Sequence, residues 1–493
     1  MRSAAWSVNG LDDPSGYSAS AEGGSFGFAR GSAAASAASS GSHIAGAVGW
    51  QRSTGIDSFG APDGDKDGFR NLSGRARGTF TFTPEVRMGA AGFALTGHSE
   101  FDGYDAFTFE HADTKDNTRN RLAAARVWVE AGNAQSLWSG RVAATMLNSS
   151  NRNFIDVAPI NRTSGARRTL DAQVERGFVT GTIQHRLIVA AEAEREAFHA
   201  RGLSSGLPTD QDRSRTHQAI AAEWRGSNGH ITGDVAVRRD LFNRFADTTT
   251  VRGSLLAELG GGLSLGGSYA EGMAQPTFFD LYGTFPNNFV GNPNLEPETS
   301  RGFEGSLRFR RANLSVALTA FRQRLYNEVI DVFDLATFQS STQNSTGVSR
   351  RAGLEAQSDW QVARNLRLRA TYAYLHATQP ESSTGLQVRE RRRPKHRASL
   401  AGDGSSGRWS YGASIAYAGP HIDTLEVAPF GPTRVKSYWL ADARVAYSVR
   451  PDVQLFARGS NLLNSDYQEV AGYHTEGIGG FVGIRLADRR SSP

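Results

Sequence analysis

The sequence predicts an all-β fold, a transmembrane antiparallel β-barrel of about 22 strands with long extracellular loops and short periplasmic turns. Three observations predict it. Apolar and polar residues alternate with period two almost throughout, and no long segment keeps a helical 3.6-residue period. No run of about 18 apolar residues exists that would cross a membrane as a helix. The hydrophobic fraction is nevertheless only 39% and mean hydropathy is -0.42, as expected where each strand offers lipid only every second side chain.

Composition narrows the function classes. The 55 glycines and 27 phenylalanines beside 16 prolines suit many strands and turns. The absence of cysteine removes disulfides, thiol catalysis and cysteine-ligated metals together. The 54 basic and 49 acidic residues are interspersed, so a net charge of +5 describes a mixed polar surface and no nucleic-acid partner.

From the start, MRSAAWSVNGLDD has no apolar core of a secretory signal, and residues 1–15 read as a short N-terminal remnant. A barrel must be exported, so the expectation is that the precursor's N-terminal part is missing from this chain. Residues 16–486 read as the barrel and 487–493 as a tail. The Ala/Gly/Ser run from Gly31 to Gly49, framed by Tyr17, Phe26, Phe28, Val48 and Trp50, reads as strands with small lipid-facing residues. Further on, Ile231, Gly233, Val235 and Val237 alternate with Thr232, Asp234 and Arg238. Val251, Leu255 and Leu259 alternate with Arg252, Ser254 and Glu258. In Asn313 to Gln323, Leu314, Val316, Leu318 and Ala320 share one face. From Asn365, Leu366 and Leu368 oppose Arg367 and Arg369, and such arginines suit a polar lumen better than a sandwich core. Trp138, Trp224, Tyr411, Tyr417, Tyr438, Trp439 and Tyr447, near segment ends, fit interfacial girdles.

Connections alternate in length. Thr83 to Glu85, Gly132 to Ala134 and Arg450 to Asp452 read as periplasmic turns. Stretches around 53–69, 101–119, 200–213, 273–299, 331–347, 376–394, 419–437 and 464–479 read as outer loops. The stretch Ala270 to Glu304 carries Pro276, Pro286, Pro293 and Pro297 and reads as a long hairpin loop, neither helix nor central strand.

Chemistry concentrates in two neighbouring outer loops. The first, GIDSFGAPDGDKDGF, carries Asp57, Asp63, Asp65 and Asp67. Carboxylates on alternate residues of a glycine-bearing loop can wrap calcium, which takes six to eight oxygens. An EF-hand reading fails, because the position of its bidentate acid is Gly74 and strands flank the loop. The second loop carries Asp102, Asp105, Asp113 and Asp116, and two acidic loops side by side repel unless cations bridge them. The run Arg389 to Arg397 opens a strand and suits lumen or lipopolysaccharide contact. Among the eleven histidines no paired metal spacing occurs, and no Ser-His-Asp or phosphate-binding motif stands out, so an enzyme is not expected.

QPTFFDLYG, then GNPNLEPETS, then a strand opening, resembles the mid-barrel loop of TonB-dependent outer-membrane receptors. The R-P-x-H strand opening from Arg393 to His396 and the closing stretch Asn461 to Leu486 resemble that family too, although ADRRSSP follows Leu486 in place of a final aromatic. The acidic loops resemble the calcium-binding loops of the family's cobalamin receptors at Asp57, Asp65, Asp67, Asp105 and Asp116, with Tyr104 beside them as a ligand-loop contact. The resemblance implies bacterial outer-membrane location and energy-coupled uptake of cobalamin or a related corrinoid. The partners it implies are calcium, outer-membrane lipid and lipopolysaccharide, and cobalamin or another large metal chelate. A TonB-type coupling protein would join only if a plug is supplied, because the family's plug and coupling box are expected to be missing. The alternatives are an iron-siderophore receptor and a plugless porin-like or structural barrel.

Overall fold

The structure is a computed structural model and describes residues 15–61, 64–105, 110–132, 136–202, 210–285, 289–334, 336, 339–381, 384–425 and 431–488. One antiparallel sheet closes on itself. Its first strand, Gly16–Gly24, pairs with Ala29–Ser39 on one side and with the last strand, Gly479–Ala487, on the other. Among the described residues 23 segments share this sheet. Gln387–Arg389 and His396–Ser406 both pair with Leu366–Pro380 and together make one barrel strand, so the wall has 22 strands, as the alternation predicts.

The register assigns the faces, since directly opposed residues share one side. Leu307, Leu318 and Ala356 are opposed across three strands, as are Phe309, Val316 and Ser358. Large apolar side chains on this side are exposed throughout the barrel, among them Leu318, Val235, Leu255 and Val482. They form the lipid face. The opposite side carries a lattice of ion pairs: Arg126 with Asp171, Arg167 with Glu196, Arg238 with Glu192, Arg367 with Asp359. A guanidinium facing a polar interior keeps its charge at little cost when a carboxylate sits opposite. Aromatic pairs lie on the lipid face: Trp409 against Tyr447 and Tyr417 against Trp439, each with ring centroids 4.8 Å apart.

The Ala/Gly/Ser run forms Ala29–Ser39 and Ser42–Ser53. The proline-rich mid-barrel stretch corrects the loop expectation. Strands extend to Ala274 and resume at Glu298, and Phe278–Tyr282 is a short helix. Pro276 precedes the helix instead of interrupting it. Thr277 caps it, its hydroxyl accepting from the Asp280 amide while the Asp280 carboxylate accepts from the Thr277 amide. Leu281 is fully buried beneath. Outer loops also carry hairpins that the alternation does not separate from loop, Val329–Asp334 with Gln339–Asn344 and His421–Leu425 with Gly431–Val435.

The Arg389–Arg397 run is broken by a positive φ at Arg392, and two of its charges meet acids: Arg392 pairs with Asp423 and Arg393 with Glu390. Asp63, Pro286, Asn133, Ala134 and most of the expected remnant and tail lie outside the described residues.

Candidate functional site

Strand Ser42–Ser53 leads into residues 54–68, and Val86–Phe101 leads into the acidic stretch that ends where Asp116–Ala131 begins. Strand Phe69–Thr83 lies between the two, paired with both. Their hairpins are therefore neighbours at one rim. The first loop is closed at its neck by Gly55, whose φ is +68° and where a Cβ would stand 1.9 Å from the Asp67 carbonyl oxygen. Only glycine fits there. The neck is tied sideways to the second loop, as the Gly68 amide donates to Glu100 Oε2 at 3.0 Å and the Glu100 amide donates to the Gly68 carbonyl at 2.9 Å.

Inside this frame carboxylates converge. Oxygens of Asp57, Asp102 and Asp113 all lie within 4.8 Å of one another. Calcium at about 2.4 Å from each ligand holds oxygens no more than about 4.8 Å apart, so the three fit one hard cation. Gly64 makes room for them, since a Cβ there would stand 2.2 Å from Asp57 Oδ2 and 3.1 Å from Asp113 Oδ2. Asp57 Oδ1 accepts from the Gly60 amide at 2.6 Å and Asp102 Oδ1 from the Thr114 amide at 3.0 Å. Asp113 Oδ1 is buried without a hydrogen-bond partner.

Two further acids flank the trio. Burial first, then the neighbouring Asp113, raises the pKa of Asp65. Asp67 accepts from the Ser58 amide at 3.0 Å and from the Ser58 hydroxyl, which also approaches Asp102 Oδ2 at 2.9 Å. One hydroxyl proton cannot serve two carboxylates fully. Burial, opposed by the Ser58 bonds and assisted by Asp102, pushes the Asp67 carboxyl up to about 6. The raised values at Asp65 and Asp67 favour protons on these two acids, which eases part of the repulsion around them.

The remaining expected residues stand apart from the trio. Asp116 is buried at the foot of its strand, where its carboxylate accepts from the Asp156 amide at 3.2 Å and fills the space that a Cβ on Gly103 would need. The Asp105 amide donates to the Glu110 carbonyl, while Tyr104 bridges to His111. His111 is buried against Phe59 and Tyr473. The spacing rule selects Asp105 and passes over Asp102 and Asp113. The signal for Asp102 is its place directly before Gly103, where the strand ends and the chain can turn a carboxylate back over its neighbour.

A third loop packs over the interior side of the wall. Arg215, buried, pairs with Glu196, donates to the Pro276 carbonyl at 2.7 Å and lies 4.6 Å from the Phe278 ring. Phe278 stacks on Phe198 at 5.5 Å. Thr342 and Asn292 then bond the Asp280 carbonyl, joining this loop to the next.

A family model described as TonB dependent receptor-like, beta-barrel, matches residues 10–462. Among solved structures, the ferric-catecholate import receptor Fiu from E. coli K12 superposes with a TM-score of 0.76 at 16% identity, over 97% of this chain and 82% of that one. The siderophore receptor PiuA from Acinetobacter baumannii gives 0.74 at 15%, over 96% and 82%. The copper transporter OprC gives 0.75 at 14%, over 96% and 80%. At these identities the likeness is one of fold.

Proposed function

From the premise that the chain belongs to the TonB-dependent receptor β-barrel family, whose members sit in the bacterial outer membrane, we propose that it captures a large metal chelate of the siderophore type at its outer loops. The observation that carries this is the barrel with its inward-packed loops, which follows receptors for such chelates over 96–97% of the chain. The family transports and does not catalyse, and no bond in the ligand need break. Energy for release would come from a coupling protein of the TonB type.

Cobalamin is the second reading, and the convergence of Asp57, Asp102 and Asp113 favours it. In this second reading the acidic loops hold a calcium-like cation, with Asp57, Asp102 and Asp113 as the ligating set and Asp65 and Asp67 closing it, whereas in the first the acidic pair is incidental to capture. The cation's part is to neutralise the rim and stiffen two adjacent loops, so that the surface above them presents one shape to a ligand.

Purified chain titrated with ferric catecholate, ferric hydroxamate and cobalamin, each in calcium and in EDTA, separates the readings. Saturable binding of an iron chelate alone supports the first, and calcium-dependent cobalamin binding replaces it with the second. Binding of none of the three removes both.

A further inference from the structure

The last outer loop, residues 461–478, forms neither strand nor helix. A loop without a ladder owes its shape to individual bonds, and here they gather at the neck, the middle and the far end. At the neck, Asn461 stands in the left-handed region at φ +46°. Its carboxamide nitrogen donates to the Ser465 carbonyl at 3.0 Å and to the Glu476 carbonyl at 3.2 Å, so one side chain staples both legs of the loop. The loop starts inward. The Asn461 amide donates at 3.0 Å to Asp442, which shares the interior side of its strand with Arg444, the partner of Asp403.

In the middle the loop grips the hairpin of His421–Leu425 and Gly431–Val435. The grip is Asp423, whose side chain is 1% exposed. A buried carboxylate is tolerated only when its oxygens are fully partnered. Asp423 accepts from Arg392 Nε at 2.9 and 3.0 Å, from the Thr424 amide at 2.9 Å and from the Ala471 amide at 2.9 Å. Three stretches of chain therefore meet on one side chain. Beside it His421 Nε2 donates to the Glu469 carbonyl at 3.1 Å, and the Arg392 amide donates to the Ile422 carbonyl at 2.8 Å. Arg392 has φ +57°, a conformation that a non-glycine residue keeps where its surroundings fix it.

At the far end the same loop reaches the acidic rim. The His474 amide donates to the Ser58 carbonyl at 2.7 Å, and the Tyr473 ring lies 4.4 Å from that of His111, which also meets Phe59 at 5.1 Å. Ser58 is the residue whose hydroxyl approaches both Asp67 and Asp102. Among the described residues no hydrogen bond joins residues 54–68 to the hairpin directly. Whatever passes between them passes through residues 461–478.

We propose that residues 461–478 are a strap that makes the acidic rim and the 421–435 hairpin one unit, with Asp423 as the positioning residue that seats it. Release of the strap at Asp423 loosens the rim, and release at the rim loosens the hairpin, because a coupling free energy acts equally in both directions. The strap is either seated or free, since a buried carboxylate that loses one partner is left uncompensated. A chelate resting on either segment is thereby felt at the other. The coupling depends neither on which chelate the loops capture nor on a cation at the rim.

The test is hydrogen exchange on the full chain in detergent micelles, in EDTA throughout so that no rim cation contributes. In Asp423→Asn, peptides covering 465–474 should exchange about tenfold faster or more. Peptides covering 54–61, which Asp423 does not touch, should exchange about fivefold faster, while strand Ile231–Phe242 keeps its native rate. Tyr473→Ala, which removes the ring contact at the rim, should in turn speed exchange of 421–425 by a similar factor. Heat-dependent gel mobility reports whether each variant is a folded barrel. Should Asp423→Asn fail to fold, Arg392→Gln takes its place, since it leaves Asp423 its two amide donors, and the same peptides are read. Native exchange at 54–61 in the folded Asp423 or Arg392 variant, or at 421–425 in Tyr473→Ala, would overturn the proposal. Faster exchange in Ile231–Phe242 as well would overturn it too, because the variant would then have loosened the whole barrel and not a strap.

Discussion

Asp67 makes the rim sensitive to pH in a direction that can be worked out. Its carboxyl is pushed up to about 6 from an ordinary 3.8, by burial first and by Asp102 in addition. A raised acid pKa means that the closed loop binds more protons than the open one between these values. The closed form therefore loses stability as pH rises from about 4 to 6 and stays penalised above. The full shift would be about 3 kcal/mol, and because the group is half exposed, screening reduces it to about 1–2 kcal/mol. A cation among Asp57, Asp102 and Asp113 would repay that penalty. Hydrogen exchange of residues 54–68, corrected for intrinsic rates, measures it. At pH 5 protection should be the same in calcium and in EDTA. At pH 7.5 EDTA should speed exchange by roughly 5- to 30-fold, and Asp67→Asn should bring EDTA-treated protection close to its pH 5 level. Protection at pH 7.5 that ignores EDTA, or a loop more open at pH 5, would refute the reasoning.

Gly64→Ala should abolish calcium binding by isothermal titration while leaving heat-dependent gel mobility intact, since its Cβ would stand 2.2 Å from Asp57 Oδ2. Arg215→Met leaves Glu196 with Arg167 alone and frees the Pro276 carbonyl; it should cost about 3 kcal/mol locally, seen as chymotrypsin cleavage within Phe278–Tyr282 that the native chain resists. Leu318→Arg places a charge on the lipid face about 10 Å above the short turn and should destabilise the barrel by about 2–4 kcal/mol, whereas Thr319→Arg, facing the lumen, should change the urea midpoint of refolded barrels little.

Much of the barrel was legible because its constraint is local. A strand with lipid on one side and water on the other must alternate, so Leu314 to Ala320 and Leu366 to Tyr374 declare their faces residue by residue. The glycines and short turns likewise announce where each hairpin reverses. What escaped were features set by company. Pro276 reads as a loop marker, yet the Thr277 cap and the bed formed by Phe198 and Arg215 let a helix follow it. The basic run after Arg389 reads as lumen or lipopolysaccharide contact, but Asp423 and Glu390 take up the charges of Arg392 and Arg393.

Alternation and loop composition, both readable along the chain, were enough for the fold class, the approximate strand number and the two loops in which acidic residues gather. Which carboxylates meet depends on how the hairpins pack. Asp102 and Asp113 join Asp57 because the hairpins are held edge to edge at Gly68 and Glu100, while Asp105 follows the Tyr104–His111 bridge. A row of opposed basic residues, Arg52, Arg70, His98, Arg119, Arg152, Arg162 and Arg201, is likewise invisible along the chain. Its members are scattered from Arg52 to Arg201, and become neighbours only when seven strands settle into register, since a one-residue slip in any of them would turn its basic residue to the other side of the wall.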